Sequence, residues 1–226
     1  MYNVVCLKWG DKFTPEYVNR LFYGVRRNTT VPFTFHCFTE DSTGLDPEIQ
    51  IQPLKHPEIQ GWWQKLYLFS DEVDIDGRVL FIDLDTLIVG NIDLYVVHGS
   101  GFAVMQDLWQ KGKNVSSALM NFETHKHKHI WDSFVADPKA AIRSLHPHGD
   151  QKWIQKHPDA KIFWPTMYPN EIVSFKSDCR GGVPAKAKIV CYHGRPSIVQ
   201  SIEETTNVQR FVIPPTPWVA EYWKDD

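Results

Sequence analysis

The stretch Arg78-Val79-Leu80-Phe81-Ile82-Asp83-Leu84-Asp85 constrains this chain more than any other part of it. Large apolar residues run on from Gly77 and stop at two carboxylates one residue apart. An apolar run of this length, bounded by a glycine and charges, reads as a buried strand of a parallel sheet. Two charges at the end of such a strand are costly unless something compensates them. A hard divalent cation bound by oxygen ligands would do so. Ligands of open α/β sheets collect at the carboxyl ends of the strands. The pair is therefore a candidate metal and phosphate site. The competing reading is a cap or turn, which aspartate also favours.

Composition limits the rest. The chain has 226 residues, of which 42% are hydrophobic, enough for a substantial core. A net charge of -3 and the lack of a basic run argue against nucleic acid as the main partner. No apolar run is long enough to span a membrane. Met1-Tyr2-Asn3-Val4-Val5-Cys6-Leu7 reads as a first strand and not as a signal peptide, so action in a cytoplasm-like compartment is expected. The four cysteines show no C-x-x-C spacing, which fits a reduced protein. Nine tryptophans are many for this length, and exposed indoles suit sugar faces.

Strand-like and helix-like segments alternate. Strands are expected at 2–7, 33–38, 48–52 and 79–82, with helices starting at Thr14-Pro15 and running over 62–69. Further on, strands are expected at 101–106, 117–122 and 188–192, and helices at 130–135 and 150–157. The tail from Pro214 to Trp223 reads as an extended segment pinned by its aromatics. No repeat or low-complexity linker divides the chain. The pattern predicts an α/β fold, a single domain with a mostly parallel sheet flanked by helices. His125, His127 and His129, alternating with lysines, read as a solvated surface segment.

Five features stand in an informative order: Tyr17, then Lys65 in Trp62-Trp63-Gln64-Lys65-Leu66, then Asp83-Leu84-Asp85, Gly149-Asp150-Gln151, and His193-Gly194-Arg195-Pro196. Together they resemble the GT-A fold glycosyltransferases, and most closely the glycogenin-like retaining group. The segment Phe81-Ile82-Asp83-Leu84-Asp85-Thr86-Leu87-Ile88-Val89-Gly90-Asn91-Ile92-Asp93 carries the resemblance most specifically. Ser116-Ser117-Ala118-Leu119-Met120-Asn121-Phe122 is similar to the family's Asn-Ser-Gly segment, with Ser and Ala in place of Asn and Gly.

The resemblance implies Asp83 and Asp85 as ligands of Mn²⁺ or Mg²⁺, with Asp83 also near the donor ribose. It implies a third metal ligand at His193 or Cys191; imidazole suits a hard, oxygen-rich site better than thiol. It places Tyr17 against the donor base, Lys65 near the donor phosphate or sugar, Gly194 and Arg195 at the donor phosphates, and Asp150 and Gln151 in the sugar pocket. Asp41, after the second strand, is a candidate for the base or ribose, with a turn role as the alternative. Asp150 has a structural alternative as a helix N-cap.

The expected activity is metal-dependent transfer of a sugar from a nucleoside diphosphate donor, taken as a UDP-sugar, to a glycan or glycoconjugate acceptor, with retention. Residues of about 1–100 would bind the nucleotide and those of about 101–226 the acceptor and sugar. Inversion would need a general base such as Asp107, Glu123 or Asp132. Two other readings remain. One is a non-catalytic nucleotide-sugar or glycan-binding module. The other is a sugar-phosphate nucleotidyltransferase, whose glycine-rich loop is missing from Lys8-Trp9-Gly10-Asp11-Lys12.

Overall fold

The structure, a computed structural model, describes residues 2–108, 114–157, 161–208 and 211–225. Its centre is a sheet of strands β1 (Tyr2–Lys8), β2 (Phe33–Thr39), β3 (Gln50–Pro53), β4 (Arg78–Ile82), β6 (Phe102–Gln106), β7 (Val115–Glu123) and β8 (Lys161–Phe163). Their order is β3-β2-β1-β4-β7-β6-β8. All pairs are parallel except those that β7 makes with β4 and β6. The sheet is thus mostly parallel, as the strand–helix alternation predicts.

Strand alternation divides the core between the two faces. Val4 and Cys6 of β1, with Leu80 and Ile82 of β4, face a cluster built on helix α1 (Pro15–Arg27). Val5, Leu7, Val79 and Phe81 face the opposite way, against the 3₁₀ helix Gly61–Phe69 and helix α3 (Lys128–Val135). Each face buries a continuous apolar layer, which is why these strands read as unbroken hydrophobic runs. The short helix α2 (Asp93–Val96) packs on the α1 side, with Tyr95 and Val96 in the same cluster. Thr14 and Pro15 open α1 as expected, and its Val18, Leu21 and Val25 stripe is buried.

Beyond Ile82 the chain turns through Asp83-Leu84-Asp85 into β5 (Thr86–Ile88). Leu84 is buried with Leu80 and Ile82, so the aspartates lie on the other side of the turn. A second sheet pairs β5 with β10 (Ile189–Cys191), and β10 with β9 (Ile172–Ser174). Tyr192 N–H donates to the Asp85 carbonyl at 2.9 Å, which fastens the 191–194 segment beside the aspartate pair. The end of the family-like segment is structural: Asp93 accepts from Thr29 Oγ1 at 2.6 Å and from Thr30 Oγ1 at 2.7 Å.

Several expectations change in detail. Residues 62–69 form a 3₁₀ helix in place of an α-helix. The tail is not simply extended: Pro217–Glu221 is a 3₁₀ turn, although its aromatics do pin it, with Trp223 against Tyr17 and Trp218 against Phe175. Helix α4 (Pro138–Leu145), capped by Asp137, precedes α5 (Asp150–Lys156). The short helices α6 (Trp164–Met167), α7 (Phe175–Asp178) and α8 (Ile198–Glu203) complete the second half. All four cysteines are free and buried. No helix among the described residues is long and apolar enough to cross a membrane.

Candidate active site

A cleft of about 370 Å³ opens at the carboxyl ends of the parallel strands. Leu7 and Trp9 reach it from the end of β1, and Lys12 and Phe13 from the loop that follows. Asp83, Leu84 and Asp85 come from the end of β4, and Trp62 and Lys65 from the 3₁₀ helix. Gly149, Asp150 and Gln151 enter at the start of α5, and Tyr192, His193 and Gly194 after β10. Of the residues expected from sequence, Lys65, Asp83, Asp85, Asp150, Gln151, His193 and Gly194 therefore meet in one cleft.

Lys65 is the electrostatic centre, only 5% exposed. Its Nζ lies 2.9 Å from Asp83 Oδ1 and 3.1 Å from Oδ2, 3.5 Å from Asp150 Oδ2, and 3.1 Å from Ser117 Oγ. Burial would lower its pKa, but Asp150 and Asp83 outweigh that and raise it, so the ammonium stays charged. Ser117 reaches the lysine because β7 is irregular here. Its register with β6 jumps from Val104↔Met120 to Met105↔Ser116, leaving Ser117, Ala118 and Leu119 without counterparts on β6. Asp83 N–H donates to the Ala118 carbonyl at 2.9 Å, locking the aspartate turn to this bulge.

Asp150 is 4% exposed, and burial raises its pKa against the pull of Lys65. Its Oδ2 is buried with no hydrogen-bond partner among the described residues. The N-cap of α5 is Gly149, with no side-chain capping bond. Asp150 is thus the first residue inside the helix, which sets aside the alternative of an N-cap. Gly149 leaves room for Trp62: a Cβ there would collide with the indole Nε1. Trp62 itself is 50% exposed at the rim.

Asp85 differs from its neighbour. Burial, then the Asp83 charge, push its carboxyl up to about 7, against Lys12 and Lys65. Such a carboxylate lacks counter-charge, and its hard oxygens, with those of Asp83, fit Mn²⁺ or Mg²⁺ chemically. The protein gathers no full ligand set: among the described residues, no three of His, Cys, Asp and Glu are placed to hold an ion. His193 lines the cleft but has Nε2 2.8 Å from Ser174 Oγ. Cys191 is buried with Sγ 3.6 Å from Met105 Sδ, its thiol pushed up by burial and then by Asp85. The donor set suits a cation held by two carboxylates and completed by substrate phosphates.

Three expected residues lie elsewhere. Tyr17 is 8% exposed, wedged between Phe13 at 5.0 Å and Trp223 at 4.9 Å, because its face of α1 packs into the core. Phe13, just ahead of the helix, takes the cleft wall instead. Asp41 is exposed and closes a turn, accepting from Thr43 N–H at 2.9 Å. That bond and the Thr43 hydroxyl hold its pKa down. Arg195 is exposed and outside the cleft lining. Among the alternative bases, Glu123 is half-buried 3.9 Å from Lys126, and Asp132 is exposed 3.9 Å from Lys128. Sequence reasoning missed Trp9, Lys12, Phe13, Ser117 and His148. The first three directly follow β1, where ligand-facing residues of a parallel sheet are expected.

No protein-family model matches the sequence, and no curated protein matches it. Solved structures do. Galactosyltransferase LgtC, in complex with donor and acceptor sugar analogs, superposes with a TM-score of 0.60 at 12% identity, over 87% of this chain and 88% of that chain. An active-site glutamine-to-glutamate mutant of LgtC gives a TM-score of 0.62 at 12% identity, over 87% and 89%. The shared fold is of the GT-A type. At this identity the likeness concerns the fold, and the chemistry must be argued from the cleft itself.

Proposed function

We propose that this chain is a metal-dependent glycosyltransferase that moves a hexose-type sugar from a UDP-sugar to a glycan or glycoconjugate acceptor with retention. The observation that carries this reading is the facing of two carboxylate groups across Lys65. Asp83 and Asp85 lie at the strand ends, and Asp150 with Gln151 opens a helix opposite. The fold shared with a galactosyltransferase solved with donor and acceptor sugar analogs supports it. So does the active-site glutamine of that enzyme, since Gln151 lines this cleft.

Asp83 and Asp85 would hold the cation, and His193 and Gly194 would border the diphosphate. When bound, the cation would act as a Lewis acid on the leaving diphosphate. Lys65 keeps Asp83 oriented and adds positive charge beside the phosphates. Trp9 and Phe13 take over from Tyr17 the role of covering the base, next to the Leu7 end of β1. Asp150, whose Oδ2 is held only by the ion pair to Lys65 at 3.5 Å, would face the sugar, where a carboxylate stabilises positive charge building at the anomeric carbon. Residues of about 1–100 would bind the nucleotide and those of about 101–226 the sugar and acceptor. Incubating the protein with UDP-sugars and Mn²⁺ tests the reading. Donor hydrolysis that chelator abolishes is expected, and full turnover in excess chelator would overturn the metal-dependent assignment. A binding module without catalysis would hold the donor and release no UDP.

A further inference from the structure

A second cavity of about 330 Å³ adjoins the cleft and shares Ser116, Ala118, Gln151, Tyr192 and His193 with it. Asp107, Ser116, Gln151, Lys176, Cys191 and His193 are among its walls. Lys176 is delivered there by a short, tightly held element. The Phe175 ring stacks on Tyr192 at 4.3 Å with an interplanar angle of 14°. Asp178 Oδ2 accepts from Ser174 N–H at 2.8 Å, and Ser174 Oγ meets His193 Nε2 at 2.8 Å. The element that carries the lysine is thus fastened to the segment that carries His193 and Gly194.

Its ammonium has no obvious structural employment. Lys176 makes no ion pair among the described residues, and the nearby Asp178 is turned to the Ser174 backbone. Burial lowers its pKa, and no carboxylate opposes that. A partly desolvated cation without an anion is unfavourable unless a ligand supplies one. Gly194, at φ +74°, lies directly beside the ammonium: a Cβ built there would be in contact with Lys176 Nζ, at 3.7 Å. A conformation with positive φ and no side chain is one through which an anion can approach backbone and ammonium together. Arg195, the basic residue next in sequence, is exposed and lines neither cavity.

We propose that Lys176 is a further cation that binds the diphosphate of the nucleotide donor, reaching it beside Gly194 from the second cavity. This rests on the glycosyltransferase reading above. It transfers the phosphate-binding role expected of Arg195 to a lysine 19 residues earlier in the chain.

The test is calorimetric titration of UDP, GDP and ADP, and of the matching nucleosides, in Mn²⁺. The proteins are the wild type, Lys176→Met, Lys176→Arg and Arg195→Met. Lys176→Met should weaken the nucleoside diphosphate by about tenfold to a hundredfold, the scale of a charge-assisted bond to phosphate, and leave the nucleoside unchanged. Lys176→Arg should restore most of the affinity, and Arg195→Met should match the wild type. The ligand-free melting temperature of Lys176→Met should equal or exceed that of the wild type, because the lost charge had no partner; a structural lysine would lower it. Equal diphosphate affinity in Lys176→Met and the wild type would overturn the inference alone. A wild type that binds no nucleoside diphosphate would overturn the glycosyltransferase reading, and this inference with it.

Discussion

The Lys65 ammonium faces both carboxylate oxygens of Asp83, at 2.9 and 3.1 Å. Asp85, two residues on, has no such partner, and its carboxyl rises to about 7. One turn thus holds two aspartates in different electrostatic states. Asp83 is neutralised by direct contact with Lys65, and among the described residues Asp85 feels Lys12 and Lys65 without an ion pair of its own. A permanent internal cation and a site for an exchangeable one stand side by side.

That difference gives the metal-free protein a defined pH dependence. Asp85 has a folded pKa above its unfolded value, so the native state binds more protons between the two. Stability is greatest below about pH 4 for this group and falls as pH rises through about 7. Mn²⁺ binds the ionised form, so its stabilising effect should be larger at pH 8 than at pH 5. Thermal melts from pH 5 to 8, with and without Mn²⁺, check both. Asp85→Asn should flatten the metal-free slope; an unchanged slope would show that another group causes it.

Lys65→Met removes the only cation in contact with both Asp83 and Asp150 among the described residues. Breaking a buried ion pair from one side costs about 3 kcal/mol or more. The loss should be smaller at pH 5 than at pH 8, because burial already raises the Asp150 pKa and a buried carboxyl that has lost its cation takes up a proton more readily as pH falls. Urea unfolding at the two pH values measures this, and a loss independent of pH would point to packing over the Phe81 ring, 5.0 Å from Nζ.

The sheet and the aspartate turn were legible because each follows from local pattern. Unbroken apolar runs mark buried parallel strands, and charges that end such a run mark the ligand edge. Asp150, Gln151 and Lys65 were legible by resemblance, and the cleft brings them to Asp83. Tyr17 was not, because a helical aromatic reads the same whether it faces a ligand or a tail; only the packing of Trp223 decides it. Arg195 looked suited to phosphate by its chemistry, but direction depends on the turn after β10. Lys176 carried no signal at all, since its role comes from β9 and β10 lying side by side, a pairing invisible in sequence.

Gly149 and Trp62 should be energetically coupled. A Cβ at position 149 would overlap the indole, so Gly149→Ala must displace it, at about 1–3 kcal/mol. Trp62 is half exposed and can swing outward, which favours the low end. In a Trp62→Ala background the same change should cost only the modest penalty of alanine at an N-cap. A double-mutant cycle of unfolding free energies reads the coupling directly. Additive costs would mean that the indole does not rest on Gly149.

Asp150→Asn tests the chemistry at its centre. If Asp150 stabilises charge at the sugar, the variant should lose turnover by about a hundredfold or more, the scale of a lost electrostatic stabiliser. Donor affinity should change little, because the carboxylate faces the sugar and not the diphosphate. Stability at pH 8 should be maintained or improved, since a buried carboxyl with a raised pKa is replaced by a neutral isostere and Lys65 keeps Asp83. The product should keep the donor's anomeric configuration. Single-turnover kinetics, melting temperature and NMR of the product, measured on one preparation, separate the possibilities. A fully active Asp150→Asn would reduce Asp150 to a partner of Lys65. An inverted product would remove retention and move attention to Asp107, the alternative base that lines the adjoining cavity.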